Sequence, residues 1–196
     1  MIPEQVTKLE NYESDYLNIG ITEDGKPRCI YPCYWSLSRH TYNMQLPDIY
    51  ICPDDLKNEK LMEKLKSFHV KGCYVFTPLE SYDFIADFKE VEDISIANNP
   101  NMKNLSFLKK LSEWIMLSLH NVNLDNLDDI RFSLDENERF ADTGLSIFNC
   151  KIKDISTLYG SRGIYELVVI GGDPKTERER WRKLYSSYKH FYELKE

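Results

Sequence analysis

The sequence lacks the features of a membrane-spanning or exported protein. No segment approaches the roughly 18 consecutive apolar residues of a membrane span. The start, Met-Ile-Pro-Glu-Gln-Val-Thr-Lys, has no apolar core of a signal peptide. The five cysteines are an odd number in a chain without an export signal, which fits reduced thiols. We therefore expect a cytoplasmic protein with no membrane contact.

Basic residues are also fewer than acidic residues. The chain has 25 Lys and Arg against 32 Asp and Glu, which gives a formal net charge of -7. Nucleic-acid-binding proteins are usually basic, so we expect no nucleic-acid partner. Residues 174–196 contain seven basic and four acidic side chains, a net of +3, and the preceding part therefore carries -10. A macromolecular partner is expected to offer a neutral or basic contact face.

Motifs for phosphate, metal or cofactor binding are missing as well. Gly171-Gly172-Asp173-Pro174 has no following Lys-Ser/Thr, and its aspartate would repel an anion. Cys29 and Cys33, spaced C-x₃-C, could supply two metal ligands, whereas a structural zinc site needs four ligands at recognisable spacing. We expect no cofactor and no metal. An enzyme, a hydrolase that uses His120 with Ser118 or Cys52, is one alternative, because Ser118 and His120 lie two residues apart.

The chain does contain a repeat. Residues 145–158 have the pattern L-x-I-x-x-C-x-I-x-x-I-x-x-L, and residues 117–130 follow the same spacing with Val122 at the cysteine position. The first apolar residue of each predicted strand falls at positions 49, 73, 94, 117, 145 and 167, separated by 24, 21, 23, 28 and 22 residues. Periods of this length indicate stacked supersecondary units that bury a continuous core.

The pattern resembles the leucine-rich repeat, L-x-L-x-x-N/C-x-L, with Cys150 at the Asn/Cys position. The resemblance covers residues 46–172, about six repeats. It implies an α/β solenoid whose parallel sheet lines a concave face and whose paired aliphatic residues point inward. On the outer side, the spacing of apolar residues predicts a helix within 56–68 and a short helix or 3₁₀ turn within 105–111. Cys150 is expected to be buried and structural.

Solenoid ends need covers. We predict an N-terminal cap over residues 1–45, built on a β-hairpin in which Asp24-Gly25 joins residues 16–22 to residues 28–31. Asp173-Pro174 predicts the start of a C-terminal capping helix over 173–196, where apolar residues from Trp181 to Tyr192 recur at three- and four-residue steps. The charged segment 132–143 is predicted to be a loop insertion.

The concave face should carry a row of aromatic residues with an acidic edge, which is typical of a protein-binding surface. The resemblance favours a non-catalytic module that binds a protein partner with this face. An immunity- or antitoxin-type inhibitor of a basic enzyme is one version of this hypothesis. Two other interpretations stay open, namely that the hairpin, the C-terminal helix or the insertion covers the face, and that the face is the interface of an oligomeric scaffold. The predicted partner-binding residues are Tyr50, Tyr74, Phe76, Asp93, Met116, His120, Phe148, Glu166 and Ile170.

Overall fold

An eight-stranded parallel β-sheet dominates the computed structural model, which describes residues 4–27, 47–88, 90–111, 116–130, 143–158, 164–170 and 190–193. The strands of this sheet are β1 (Tyr16–Ile21), β2 (Ile49–Ile51), β3 (His69–Val75), β4 (Asp93–Ala97), β5 (Met116–His120), β7 (Thr143–Phe148), β9 (Ile164–Ile170) and β10 (His190–Glu193). Two short strands, β6 (Asn123–Leu124) and β8 (Lys151–Ile152), form a separate parallel pair. The strand order in the large sheet is β2-β1-β3-β4-β5-β7-β9-β10.

The predicted inward pairs form the core and lie in register. Leu117 pairs with Ile94 on one side and with Leu145 on the other, and Leu119 lies between Ile96 and Ile147. All six side chains are at most 2% exposed. Alternate residues of a strand point to one side of the sheet, so parallel stacking in register makes two continuous aliphatic rows. The predicted parallel pairing of these segments, including 167 and 169 of β9, is confirmed.

Helices and 3₁₀ turns connect the strands. The α-helices are α1 (Glu4–Glu10) and α2 (Glu59–Lys66), and 3₁₀ helices span Pro53–Lys57, Asp83–Asp87, Ser106–Lys110 and Ser156–Leu158. Asn58 caps α2, since its Oδ1 accepts a hydrogen bond from Leu61 N at 3.1 Å. Leu61 and Leu65 are fully buried, which confirms the predicted helix, and the predicted turn after β4 is also confirmed. No helix in the described part of the chain has the length and apolarity that a membrane crossing requires.

In four repeats, a polar turn lies between the strand and the segment that returns along the outer side of the sheet. A side-chain oxygen at positions 81, 104, 126 and 154 accepts a hydrogen bond from the backbone N–H two residues later, at 3.1, 3.1, 3.1 and 2.8 Å. Such turns satisfy backbone donors that the short 3₁₀ helices leave unpaired. The next residue in each unit is buried: Tyr82, Leu105, Leu127 and Ile155.

The predicted N-terminal hairpin is wrong. Strand β1 pairs in parallel with β2 on one side and with β3 on the other, so neither edge is available for an antiparallel partner. The turn itself exists, because Gly25 has a φ of 67° and Lys26 N donates to Asp24 Oδ1 at 3.2 Å. A turn reverses the chain direction but does not determine which strand pairs with β1. The choice follows from burial of Leu17, Ile19 and Ile21 in the common core.

The C-terminal prediction is wrong over its last part. Residues 190–193 form β10, a parallel neighbour of β9, so the predicted helix does not continue to Tyr192. The earlier part of that helix, with Trp181, lies outside the described residues, and so does the predicted insertion up to residue 142. The same sheet therefore includes a strand from each of the two predicted caps.

Candidate functional site

The side of the sheet opposite the aliphatic core carries most of the predicted binding residues. We call it the serine face, after the row in which Ser95, Ser118 and Ser146 lie side by side on β4, β5 and β7. Parallel register places two further rows beside them. The row toward the N-terminal ends contains Asn18, Gly72, Asp93, Met116 and Gly144, and the row toward the C-terminal ends contains Ala97, His120 and Phe148, with Phe76 directly after β3.

Two tyrosines of this face lie over glycines. A Cβ atom at Gly20 would come within 2.7 Å of Tyr50 Cδ1, and one at Gly72 would come within 2.5 Å of the Tyr74 hydroxyl oxygen. The rings therefore occupy the space that a larger residue would need. Tyr74 is only 2% exposed and Tyr50 is half-buried. Tyr74 is thus not the free aromatic anchor that the sequence suggested.

The centre of the serine face is closed to water. Ser95, Ser118 and Ser146 are all buried, and Ser146 Oγ has no hydrogen-bond partner among the described residues. Within the described ranges, none of the side chains in the three rows is exposed. The predicted aromatic row, which follows the inward pairs, is half-buried at Phe76, His120 and Phe148 and is therefore not fully open. Half-buried side chains mark the two ends: Phe76, His120, Phe148, Asp93 and Met116.

At the C-terminal ends of the strands, two rings are stacked. His120 and Phe148 have centroids 4.3 Å apart and planes inclined by 9°. The in-register pairing of β5 and β7 places these two side chains next to each other. Burial lowers the pKa of His120 to about 4, so the imidazole is neutral at pH 7. A neutral, stacked histidine acts as an aromatic contact group, and its low basicity argues against a role as general base.

A ladder of exposed asparagines lies directly beyond these rings. Asn149 Nδ2 donates to Asn121 Oδ1 at 2.7 Å, and Asn121 Nδ2 donates to Asn98 Oδ1 at 2.9 Å. Each residue is left-handed, with φ of 59°, 51° and 48° for Asn98, Asn121 and Asn149, which asparagine tolerates better than most residues. This ladder was not predicted from the sequence. The signal was an asparagine one residue after the end of β4, β5 and β7.

At the opposite ends of the strands, Asp93 is half-buried between Gly72 and Met116. Burial, and next the negative charge of Glu92, raise the pKa of Asp93 to about 6. Glu92 itself pairs with Lys71. No cation forms an ion pair with Asp93 within the part of the chain that the structure describes.

The structure separates one proposed catalytic pair. Cys52 follows β2, whereas His120 ends β5, four strands away in the sheet. At about 4.8 Å between neighbouring strands, the two lie about 19 Å apart, so a Cys52–His120 pair is wrong. Among the described residues, no group of three or more His, Cys, Asp or Glu side chains is placed to hold a metal ion.

The buried thiols are structural. Burial raises the pKa of Cys73 to about 12 and, as the largest cause, that of Cys150 to about 11, so both stay protonated. Cys150 Sγ donates to the carbonyl oxygens of Leu119 at 3.3 Å and of Phe148 at 3.2 Å. The thiol thus joins the ends of β5 and β7, which confirms the predicted structural role.

The remaining predicted residues divide between the two ends of the sheet. Backbone register places Glu166 opposite Gly144, in the row of Asp93 and Met116, and Ile170 opposite Phe148. A cavity of about 520 Å³ lies elsewhere, between segments 78–83 and 99–107. None of the predicted partner-binding residues lines this cavity.

Comparison of this chain with models of known protein families, with curated proteins and with solved structures finds no match. The resemblance to leucine-rich repeats therefore depends on the spacing of residues in this chain. Functional inference depends on the chemistry of the serine face and of its two ends.

Proposed function

We propose that this chain is a non-catalytic binding module of the leucine-rich-repeat type, in which the serine face is the concave side and engages a protein partner. The observation that carries the proposal is the stacked pair of His120 and Phe148 beside the exposed asparagine ladder. We call this surface the aromatic rim. Its members are Phe76, His120, Phe148, Asn98, Asn121 and Asn149.

The recurrence of one structural unit supports the solenoid. Residues 93–111, 116–130 and 143–158 each begin with a strand and continue with a left-handed asparagine, a buried side chain and a polar turn. Neighbouring units exchange side-chain contacts on the outer side, for example Lys153 Nζ with Asp125 Oδ1 at 2.6 Å. Such nearest-neighbour stacking is how repeat proteins build a core.

The chemistry of the aromatic rim suits protein recognition. Phenylalanine and neutral histidine bury a large area with few rotatable bonds, so ordering them on binding costs little entropy. Exposed asparagines supply adaptable hydrogen bonds, because Asn121 and Asn149 each use only one of their two N–H groups within the ladder and Asn98 only accepts there. Rings flanked by neutral hydrogen-bonding groups resemble the arrangement of an interface core and its polar surroundings.

The net charge of -7 favours a partner with a neutral or basic contact face. An inhibitor of the immunity or antitoxin type, which covers a basic enzyme, is one kind of binder with this chemistry.

The test is quantitative capture of partners from the source cells with wild-type and variant protein. Phe148→Asp and Phe76→Asp introduce a charge on the aromatic rim and should reduce capture of the specific partner roughly 30-fold or more, as at an interface hot spot. Phe84→Asp is the matched control, because Phe84 is also half-buried but lies on the outer 3₁₀ helix against Phe88. The control should capture the partner as wild type does.

Two outcomes would contradict the proposal. Equal capture by folded Phe148→Asp and wild type would exclude the aromatic rim as the binding surface. A stable wild-type homo-oligomer in light scattering that Phe148→Asp converts to a monomer would assign the rim to a subunit interface instead. Circular dichroism and thermal unfolding establish that each variant is folded before its capture is scored.

A further inference from the structure

Asp93 stands out on the serine face as a charged group without a counter-ion in the described part of the chain. Its nearest titratable neighbour in sequence, Glu92, shares Lys71 with Glu90, where Lys71 Nζ lies 3.5 Å from Glu90 Oε2. Among the described residues, Lys71 is thus engaged by two other carboxylates. An unpaired, half-buried carboxylate costs free energy unless something else neutralises it.

Asp93 lies between two side chains with apolar surfaces. Half-buried Met116 is the direct neighbour on β5, and Gly72 is the direct neighbour on β3. The ring of Tyr74 lies over Gly72, on the other side of Asp93. A carboxylate between a thioether and an aromatic ring suits a guanidinium group, which pairs with carboxylates and stacks on apolar planes.

We propose that Asp93 receives the guanidinium group of an arginine side chain, which the protein partner inserts beside Met116. The inference deepens the proposed function, since it names the chemistry that the partner presents at the end of the serine face away from the aromatic rim. A metal ion is the weaker occupant, because no three metal-ligating side chains converge among the described residues.

The probe in the test is Nα-acetyl-argininamide, added to the whole chain at constant ionic strength. Two NMR signals report on the site, the Asp93 carboxyl carbon and the Met116 methyl group. We expect both signals to shift saturably with a dissociation constant on the order of 10 mM, as for one charge-assisted bidentate contact. Nα-acetyl-citrullinamide, which has the same shape without the charge, should leave both signals in place.

Asp93→Asn is the matched control variant, since it keeps the size of the side chain and removes the charge. The Met116 signal of this variant should not respond to the arginine probe. A saturable response that persists in Asp93→Asn, or an equal response to the citrulline probe, would overturn the inference. The absence of any response from Asp93 and Met116 up to 100 mM probe, about tenfold above the expected dissociation constant, would overturn it as well.

Failure of this inference is distinguishable from failure of the proposed function. If Phe148→Asp loses the partner while the arginine probe has no effect, the aromatic rim stands and the arginine site is wrong. If the probe binds at Asp93 while Phe148→Asp captures the partner normally, the arginine site stands and the rim is wrong.

Discussion

The two faces of the large sheet differ in how completely their side chains find packing, hydrogen-bond and ion-pair partners. On the core face, aliphatic residues such as Leu117 and Leu119 meet aliphatic neighbours on both sides and are fully buried. On the serine face, a buried hydroxyl of Ser146 has no hydrogen bond, and the Asp93 carboxylate has no ion pair among the described residues. Groups that cost stability are retained where they serve another purpose, so the contrast supports the proposal that the serine face binds a partner.

Carboxylates on the outer side of the chain have hydrogen-bond and ion-pair partners, so this side is as well satisfied as the core face and differs from the serine face. Asp129 is buried, yet its Oδ2 accepts a hydrogen bond from Leu105 N at 3.0 Å and its Oδ1 pairs with Lys109 at 2.5 Å. Asp83 pairs with Lys110 at 2.8 Å. Carboxylates on the outer side therefore join neighbouring units, whereas the half-buried carboxylate on the serine face joins nothing that the structure describes.

The largest expected effect is on the core face. Leu117→Ala should lower the free energy of unfolding by about 2–5 kcal/mol, because it leaves a cavity in the aliphatic row. Met116→Ala is the control one residue away on the opposite face, where the side chain is half-buried, and it should cost about 1 kcal/mol or less. Urea denaturation measures both. Equal losses would contradict the assignment of the two faces.

An intermediate effect, with the opposite sign, is expected at Asp93. The folded state raises the pKa of this carboxyl from 3.8 to about 6. Ionised Asp93 thus opposes folding above pH 6, and the penalty vanishes below pH 3.8. Asp93→Asn should therefore raise the free energy of unfolding at pH 7.5 by about 1–3 kcal/mol, and this gain should shrink toward zero as the pH falls from 6 to 4.

The control for that experiment is Asp83→Asn. Lys110, through its hydrogen bond, lowers the pKa of Asp83, so its ionised form favours folding and its replacement should bring no gain at pH 7.5. Denaturation at pH 4, 6 and 7.5 separates the two variants. A destabilised Asp93→Asn at pH 7.5 would show that Asp93 serves the fold itself.

The smallest effect is expected in the asparagine ladder. Asn121→Gly keeps the left-handed backbone but removes two exposed amide hydrogen bonds, and should cost about 0.5 kcal/mol. Asn121→Ala also strains the backbone, so its loss should exceed that of Asn121→Gly by about 0.5–1 kcal/mol. Thermal unfolding resolves the difference. Identical losses would mean that backbone conformation at this position is unimportant.

Local pattern was sufficient for the core and for part of the outer side. Alternating aliphatic residues at a recurring interval specify strands, their inward face and their parallel neighbours, because only stacking in register buries both aliphatic rows. The pairs at 94/96, 117/119 and 145/147 were predicted for this reason. Helix α2 was predictable too, since it depends on residues close by in the chain. Cys150 was predicted from its position in the repeat, although its thiol bonds to Leu119, which is distant in sequence.

Long-range packing was needed for the rest. Strand β1 enters between β2 and β3 because its buried residues fit the common core, and no local signal encodes that neighbour choice. Tyr74 is buried because Gly72, two residues earlier, makes room for its ring. The alternation of aromatic residues in the sequence does not reveal this contact. The isolation of Asp93 depends on which carboxylates Lys71 reaches in space. Charge pairing and ring placement are three-dimensional properties, so they emerge only when distant segments meet.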